Sequence, residues 1–106
     1  MSYRFMRIMV MFDLPVETEQ QRRAYRAFRK YLVKNGFVMM QESIYTKIAL
    51  NASAAQAIVG NLRKNKPPDG LVQVLKVTEK QFAGMEYIVG DARNDVVDSD
   101  ERLIVL

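Results

Sequence analysis

Residues 4–15 read Arg4-Phe5-Met6-Arg7-Ile8-Met9-Val10-Met11-Phe12-Asp13-Leu14-Pro15, and this stretch decides the fold. From Ile8 to Phe12 five apolar residues run without interruption, the pattern of a strand covered on both faces, which belongs in the centre of a sheet. The run stops at Asp13. Pro15 has no N–H to give to a ladder, so the strand ends there and a carboxylate sits at its lip. An acidic group where a buried element meets water suits a metal or phosphate site. Equally, it starts a turn by accepting from neighbouring backbone N–H groups.

Downstream, Thr18 with Gln21 three residues on forms a capping box, and Asn35-Gly36 supplies a stop, so the spacing predicts a helix between them. At 100° per residue Ala24, Tyr25, Phe28, Tyr31 and Leu32 share the arc that packs on a sheet. Arg22, Arg23, Arg26, Arg29, Lys30 and Lys34 fall on the opposite arc, interrupted only by Val33, with no acidic i, i+4 partner among them. Six cations on one face repel one another, and a polyanion relieves that cost. The arc therefore reads either as a phosphate-tracking surface or as a solvated helix face.

Two strands follow, over 37–41 and 43–50, joined by a tight or bulged turn at Gln41, Glu42 and Ser43. Tyr45 and Lys47 share one face, and Ile44, Thr46, Ile48 and Leu50 the other. Tyr45 and Lys47 read as contacts to a sugar-phosphate backbone or as a half-buried ring beside a lysine at the sheet rim. A second capping box, Ser53 with Gln56, opens a helix to Asn65 that lays Ala54, Ala55, Ala57, Ile58 and Leu62 near the sheet. Arg63, Lys64 and Lys66 at its end complement the helix dipole. Lys66-Pro67-Pro68-Asp69-Gly70 makes a turn into a valine-rich strand over 71–77, expected to be internal. Thr78 and Gln81 cap a short helix anchored by Phe82, and residues 86–89 read as a brief strand.

Composition narrows the chemistry. At 106 residues and 49% hydrophobic, the chain makes one compact domain with a modest core. Without cysteine or histidine there is no disulfide, no imidazole base, no Ser-His or Cys-His pair and no zinc site of the usual ligands. Any hydrolysis rests on carboxylates and a hard cation, and Mg²⁺ needs only one or two carboxylates because water and phosphate fill its other positions. No segment approaches the ~20 apolar residues that span a bilayer, which leaves no membrane role, and the absence of a signal peptide makes the cytoplasm the expected location. The formal charge is +4, with 14 Lys/Arg against 7 Asp/Glu in residues 1–90 and 2 against 5 in residues 91–106. A basic body, residues 1–90, is thus followed by an acidic connector and a Leu103-Ile104-Val105-Leu106 end. That end forms a strand completing the sheet of its own chain or of a partner subunit.

Read in order, the elements give an α+β, ferredoxin-like βαββαβ domain with an additional C-terminal strand, exchanged in a homodimer. Two helices cover one face of the antiparallel sheet and leave the other needing cover. Two subunits packed on that face bring both Asp13 side chains toward one axis, where they share one Mg²⁺.

The strand ending Phe12-Asp13-Leu14-Pro15, the helix Arg22-Arg23-Ala24-Tyr25-Arg26-Ala27-Phe28-Arg29-Lys30, the turn Asn35-Gly36-Phe37, the stretch Gln41-Glu42-Ser43-Ile44-Tyr45 and the closing Asp100-Glu101-Arg102-Leu103 resemble the CRISPR-associated Cas-two (Cas2) family, its type II branch most closely. The resemblance implies a ferredoxin-like homodimer whose terminal strand joins the partner's sheet. It also implies a protein that bridges Cas-one (Cas1) integrase dimers and holds prespacer duplex DNA during spacer acquisition. The same family is described as metal-dependent endonucleases on RNA or DNA, which makes Asp13 the matching metal and catalytic residue and Arg22 a cation that assists. Under the clamp reading, the nucleic-acid contacts are Arg22, Arg23, Arg26, Arg29, Lys30 and Lys34. Two other readings stand beside it: a toxin-type ribonuclease of the same fold, and a regulatory module that binds a small ligand or a protein. The latter usually carries clustered glycines, whereas this chain has 5, dispersed.

Overall fold

The computed structural model describes residues 5–91. Its elements are β1 (Met6–Asp13), α1 (Glu19–Lys34), β2 (Val38–Gln41), β3 (Ile44–Ala49), α2 (Ala52–Lys64), β4 (Leu71–Thr78) and the short α3 (Glu79–Ala83). The strands form one antiparallel sheet in the order β2-β3-β1-β4. This is the ferredoxin-like arrangement, with β1 central as its apolar run demands.

Register sorts the side chains into two faces. Val10 stands opposite Tyr45 on β3 and Val74 on β4, and Ile8 opposite Lys47 and Lys76. Ile8, Val10 and Phe12 are buried with Tyr45 and Ala49 beneath Phe28 and Leu32 of α1 and Ala55, Val59 and Leu62 of α2. The intervening residues Arg7, Met9, Met11 and Asp13 point the other way, beside Ile44, Thr46 and Ile48 of β3 and Leu71, Gln73, Leu75 and Val77 of β4. No helix longer than α3 lies over that side among the described residues, and Ile48, Leu71 and Leu75 are exposed on it. Thus the five-residue apolar run signals a core on one face and an uncovered apolar surface on the other.

Helix ends follow local chemistry. The Thr18–Gln21 box forms in full, as does Thr78–Gln81. Gly36, at φ +88°, turns the chain after α1. The expected Ser53 cap is not the one used. Asn51, with extended backbone, accepts from the Ala54 N–H at 2.8 Å and starts α2 before Ser53 is reached. The β2–β3 turn carries the anticipated bulge, between Met39 and Gln41.

Among the described residues β4 is flanked by β1 alone, and its apolar residues face both sides of the sheet. A further expectation is corrected. Residues 86–89 form no strand; Tyr87, Ile88 and Val89 are exposed irregular chain, with no ladder partner among the described residues. Except for Asp91, the acidic connector and terminal strand expected over 91–106 lie outside the described residues. No described helix is long and apolar enough to cross a membrane.

Candidate functional site

Asp13 closes β1 on the uncovered side of the sheet, opposite Leu71, and is exposed. Its backbone is held from three directions. Phe12 packs edge-on to Phe28 at 5.3 Å between ring centroids and stacks on Tyr45 at 5.8 Å. The Phe12 N–H donates to the Ser43 carbonyl at 3.0 Å. Behind Asp13 lies Gly70, where a Cβ would stand 3.0 Å from the Asp13 carbonyl oxygen and 2.7 Å from Leu14 Cδ2. The strand end is therefore rigid while the carboxylate itself is free, with no donor to it among the described residues.

Arg22 was expected to serve this carboxylate's chemistry, and its geometry assigns it elsewhere. Its Nη1 donates to the carbonyl oxygens of Val16 and Glu17, 3.0 Å each, fastening the loop between β1 and α1. No ion pair or hydrogen bond joins it to Asp13 among the described residues.

The cationic arc of α1 lies on the opposite layer, and all six of its residues are exposed. It is not free of acid: Glu19 stands within it, 3.3 Å from Arg22, 3.4 Å from Arg26 and 3.9 Å from Arg23. The expectation of an unpaired row missed this residue, which also occupies the favourable first turn of the helix. One carboxylate shared among three exposed arginines leaves the group net positive, and each such surface pair is worth little. Lys30 and Lys34 make no ion pair among the described residues. Arg29 donates through Nε to the Tyr45 hydroxyl at 3.0 Å. That hydrogen bond, then the charge interaction with the same phenol, pushes the guanidinium above its ordinary value.

Tyr45 is itself in the core at 1% exposure, and the Lys47 ammonium donates to the Asn35 carbonyl at 2.6 Å. Both therefore serve the structure, and neither presents itself to a backbone phosphate.

Sequence reasoning passed over Arg7. Its Nη2 and Nε bind both carboxylate oxygens of Glu79, at 2.6 and 3.0 Å, its guanidinium lies 4.1 Å from the Phe82 ring centroid, and its Nη1 reaches the Thr46 hydroxyl at 3.4 Å. This clasp fixes α3 over one end of the uncovered face, while Asp13 marks the other end. A charge just ahead of an apolar run in a central strand needs a partner, and that was the available signal.

The test for a divalent cation rests on the donors present. No group of three or more acidic or other metal-ligating residues comes together among the described residues. One exposed carboxylate with open acceptor oxygens suits Mg²⁺ as half a site, since that ion keeps several waters and takes the rest from phosphate and a second carboxylate.

Comparison with known proteins gives a consistent result. A family profile described as CRISPR associated protein Cas2 matches residues 6–85. A protein of Treponema denticola named CRISPR-associated endoribonuclease Cas2 is 54% identical over 101 residues, 95% of this chain and 100% of that one. One of Streptococcus mutans with the same name is 46% identical over 101 residues, 95% of this chain and 93% of that one. Among solved structures, one described as a crystal structure of Cas2 superposes with a TM-score of 0.50 at 18% identity, covering 85% of this chain and 92% of the other. At that identity the superposition speaks for the fold alone.

Proposed function

The chain belongs to the CRISPR-associated Cas2 family, and on that premise we propose that it is a homodimeric, cytoplasmic adaptation protein. In this reading it bridges Cas1 integrase dimers and holds prespacer duplex DNA on the α1 arc during spacer integration. The observation that carries the reading is the division of labour between the two layers. The sheet offers Met9, Ile48, Leu71 and Leu75 on an uncovered apolar side, where a second copy of the chain packs, and the cations of α1 lie on the far side, outward from such a pair. Two outward arcs then present positive charge to duplex phosphates, with Arg23, Lys30 and Lys34 the least encumbered.

The relatives' name supports a second activity, phosphodiester cleavage in RNA or DNA. Asp13 from each subunit would hold a shared Mg²⁺, which supplies Lewis-acid activation of water and stabilises charge on the scissile phosphate. For this chain's own residues, the part played is positional: Phe12 and Gly70 fix the strand end, and the Asp13 carboxylate is left without an internal partner. Arg22 acts only by holding the loop that follows.

The two activities separate by mutation. Arg23→Glu, Lys30→Glu and Lys34→Glu together remove duplex binding and spacer acquisition and leave any cleavage by the purified dimer at Asp13 available. Asp13→Ala abolishes cleavage and preserves acquisition. Loss of acquisition in Asp13→Ala, with the arc variant unaffected, would refute the clamp.

A further inference from the structure

Between α1 and the turn after α2 lies a groove of about 220 Å³ that neither the arc nor Asp13 uses. That is room for roughly seven waters, enough for a flat ring. Ala24 and Ala27 make a low α1 side, Tyr31 stands beside them, and Pro67 and Pro68 form the opposite wall, with Lys66 at its edge. Tyr31 is half-buried, and its hydroxyl has no hydrogen bond among the described residues. Small residues on one helix face beside an aromatic ring, across from two prolines, make a slot with apolar sides.

Its rims are cationic. Arg23 and Lys30 stand four residues before and three after Ala27, and Lys34 three after Tyr31, so each is a surface neighbour of a lining residue. Across the slot, Lys66 makes no ion pair among the described residues; its ammonium only approaches the Arg63 carbonyl, at 3.4 Å. Apolar walls between cations, of which Lys30, Lys34 and Lys66 make no ion pair among the described residues, complement a nucleotide, which joins a ring with two apolar faces to an anionic phosphate. A paired and stacked base cannot enter such a slot, but an unpaired one can.

We infer that this groove takes an unpaired base from a single-stranded segment running on from the bound duplex, the ring packed between Tyr31 and the prolines and its phosphates beside Lys66 and Lys30. The inference rests on the reading that the α1 arc holds a duplex, and the test separates the two. The probe is 2-aminopurine, whose fluorescence falls on stacking, placed in the overhang of a tailed duplex and, separately, in a free single strand. The tail is expected to tighten binding roughly tenfold over a blunt duplex, with quenching. Tyr31→Leu, which keeps an apolar side chain, and Ala27→Leu, which fills the slot from an exposed helix position, both abolish the gain and the quenching. Both leave blunt-duplex affinity in place; Ala27→Leu, at an exposed position, also keeps the melting temperature, whereas Tyr31→Leu lowers it because Tyr31 packs against the core. Quenching of the free strand that is lost in Tyr31→Leu, with no blunt-duplex binding, sustains the groove and sinks the duplex reading. Absence of quenching in both probes, or quenching that survives both variants, overturns the groove. If the variants instead weaken binding to Cas1 and leave quenching intact, the slot is a protein contact and the inference fails.

Discussion

Gly70 is pressed against Asp13: a side chain on the glycine would begin 3.0 Å from the aspartate's carbonyl oxygen, and the glycine's φ of +95° is one that other residues rarely adopt. The turn that ends α2 and the strand that ends in the acidic lip are therefore built as one piece.

Gly70→Ala must strain the turn or push Leu14 and Pro15 away, and Leu14 belongs to the rim of the core. A loss of about 1–3 kcal/mol in unfolding free energy is expected, read from the denaturant midpoint. Asp13→Ala, at an exposed carboxylate without an internal partner, should shift the same midpoint by no more than about 0.5 kcal/mol. Any activity lost in Asp13→Ala is then chemistry, and any lost in Gly70→Ala is geometry. Equal midpoints for the two variants would show that the close packing carries no energy.

The Arg7–Glu79 pair predicts coupling across 72 residues of sequence. Its side chains are 17% and 25% exposed, enough burial for two charge-assisted hydrogen bonds to matter. Glu79→Gln should cost about 1–2 kcal/mol. In a double-mutant cycle Arg7 and Phe82 should couple by about 0.5–1 kcal/mol through the stacked guanidinium. Amide exchange in α3 reports the same event: loss of Arg7 should release protection in 79–83 while the β1–β3 ladder keeps its own. Unchanged exchange in α3 would mean that its capping box alone holds it.

Arg29 and Tyr45 bear on pH. The pKa of Arg29 is raised in the fold, so the stabilisation from its charge is fully present below the unfolded value and lost only as pH climbs through the still higher folded one. That window lies beyond any working pH. With no histidine in the chain and the remaining cations on lysine and arginine, duplex affinity should be flat between about pH 5.5 and 9 and fall steeply with salt. Tyr45→Phe should cost no more than about 1 kcal/mol, because the exposed guanidinium regains water. A titration in duplex affinity near neutral pH would place the binding groups elsewhere.

What the residues declared in advance was mostly what local rules govern. Thr18 and Thr78 each stand three residues ahead of a glutamine, and both boxes form; the run 8–12 fixes the central strand. The failures are of two kinds: two local rules were misapplied, at Asn51 and Val59, and at Glu19 and Arg22 sequence neighbours were weighed and spatial ones were not. Asn51 outcompeted Ser53 because the first side chain able to accept from a free helix N–H sets the start. Val59 went unnoticed among alanines although it is one of α2's three buried residues. Glu19 was missed as a partner because acidic residues were sought only among the members of the arc, and it stands just ahead of Arg22. Arg22 had to be placed in space before its bonds to the Val16 and Glu17 carbonyls could be seen.

Met9 lies opposite Leu75 on the uncovered face, and this pair gives the most direct trial of the dimer. A charge at Leu75 costs the isolated subunit little, because that residue is already half in water at 49% exposure. In a face-to-face dimer the same charge is desolvated without a partner, a penalty of several kcal/mol across two symmetric copies. Sedimentation of the wild-type chain should give twice its 12.2 kDa mass. Leu75→Asp should give one chain's mass, with an unfolding midpoint that no longer depends on protein concentration. Because both Asp13 carboxylates are needed for one Mg²⁺ in the proposed site, the monomeric variant should lose cleavage even though its own Asp13 is untouched. Cleavage by a verified Leu75→Asp monomer would show that one carboxylate suffices and that the metal is not shared.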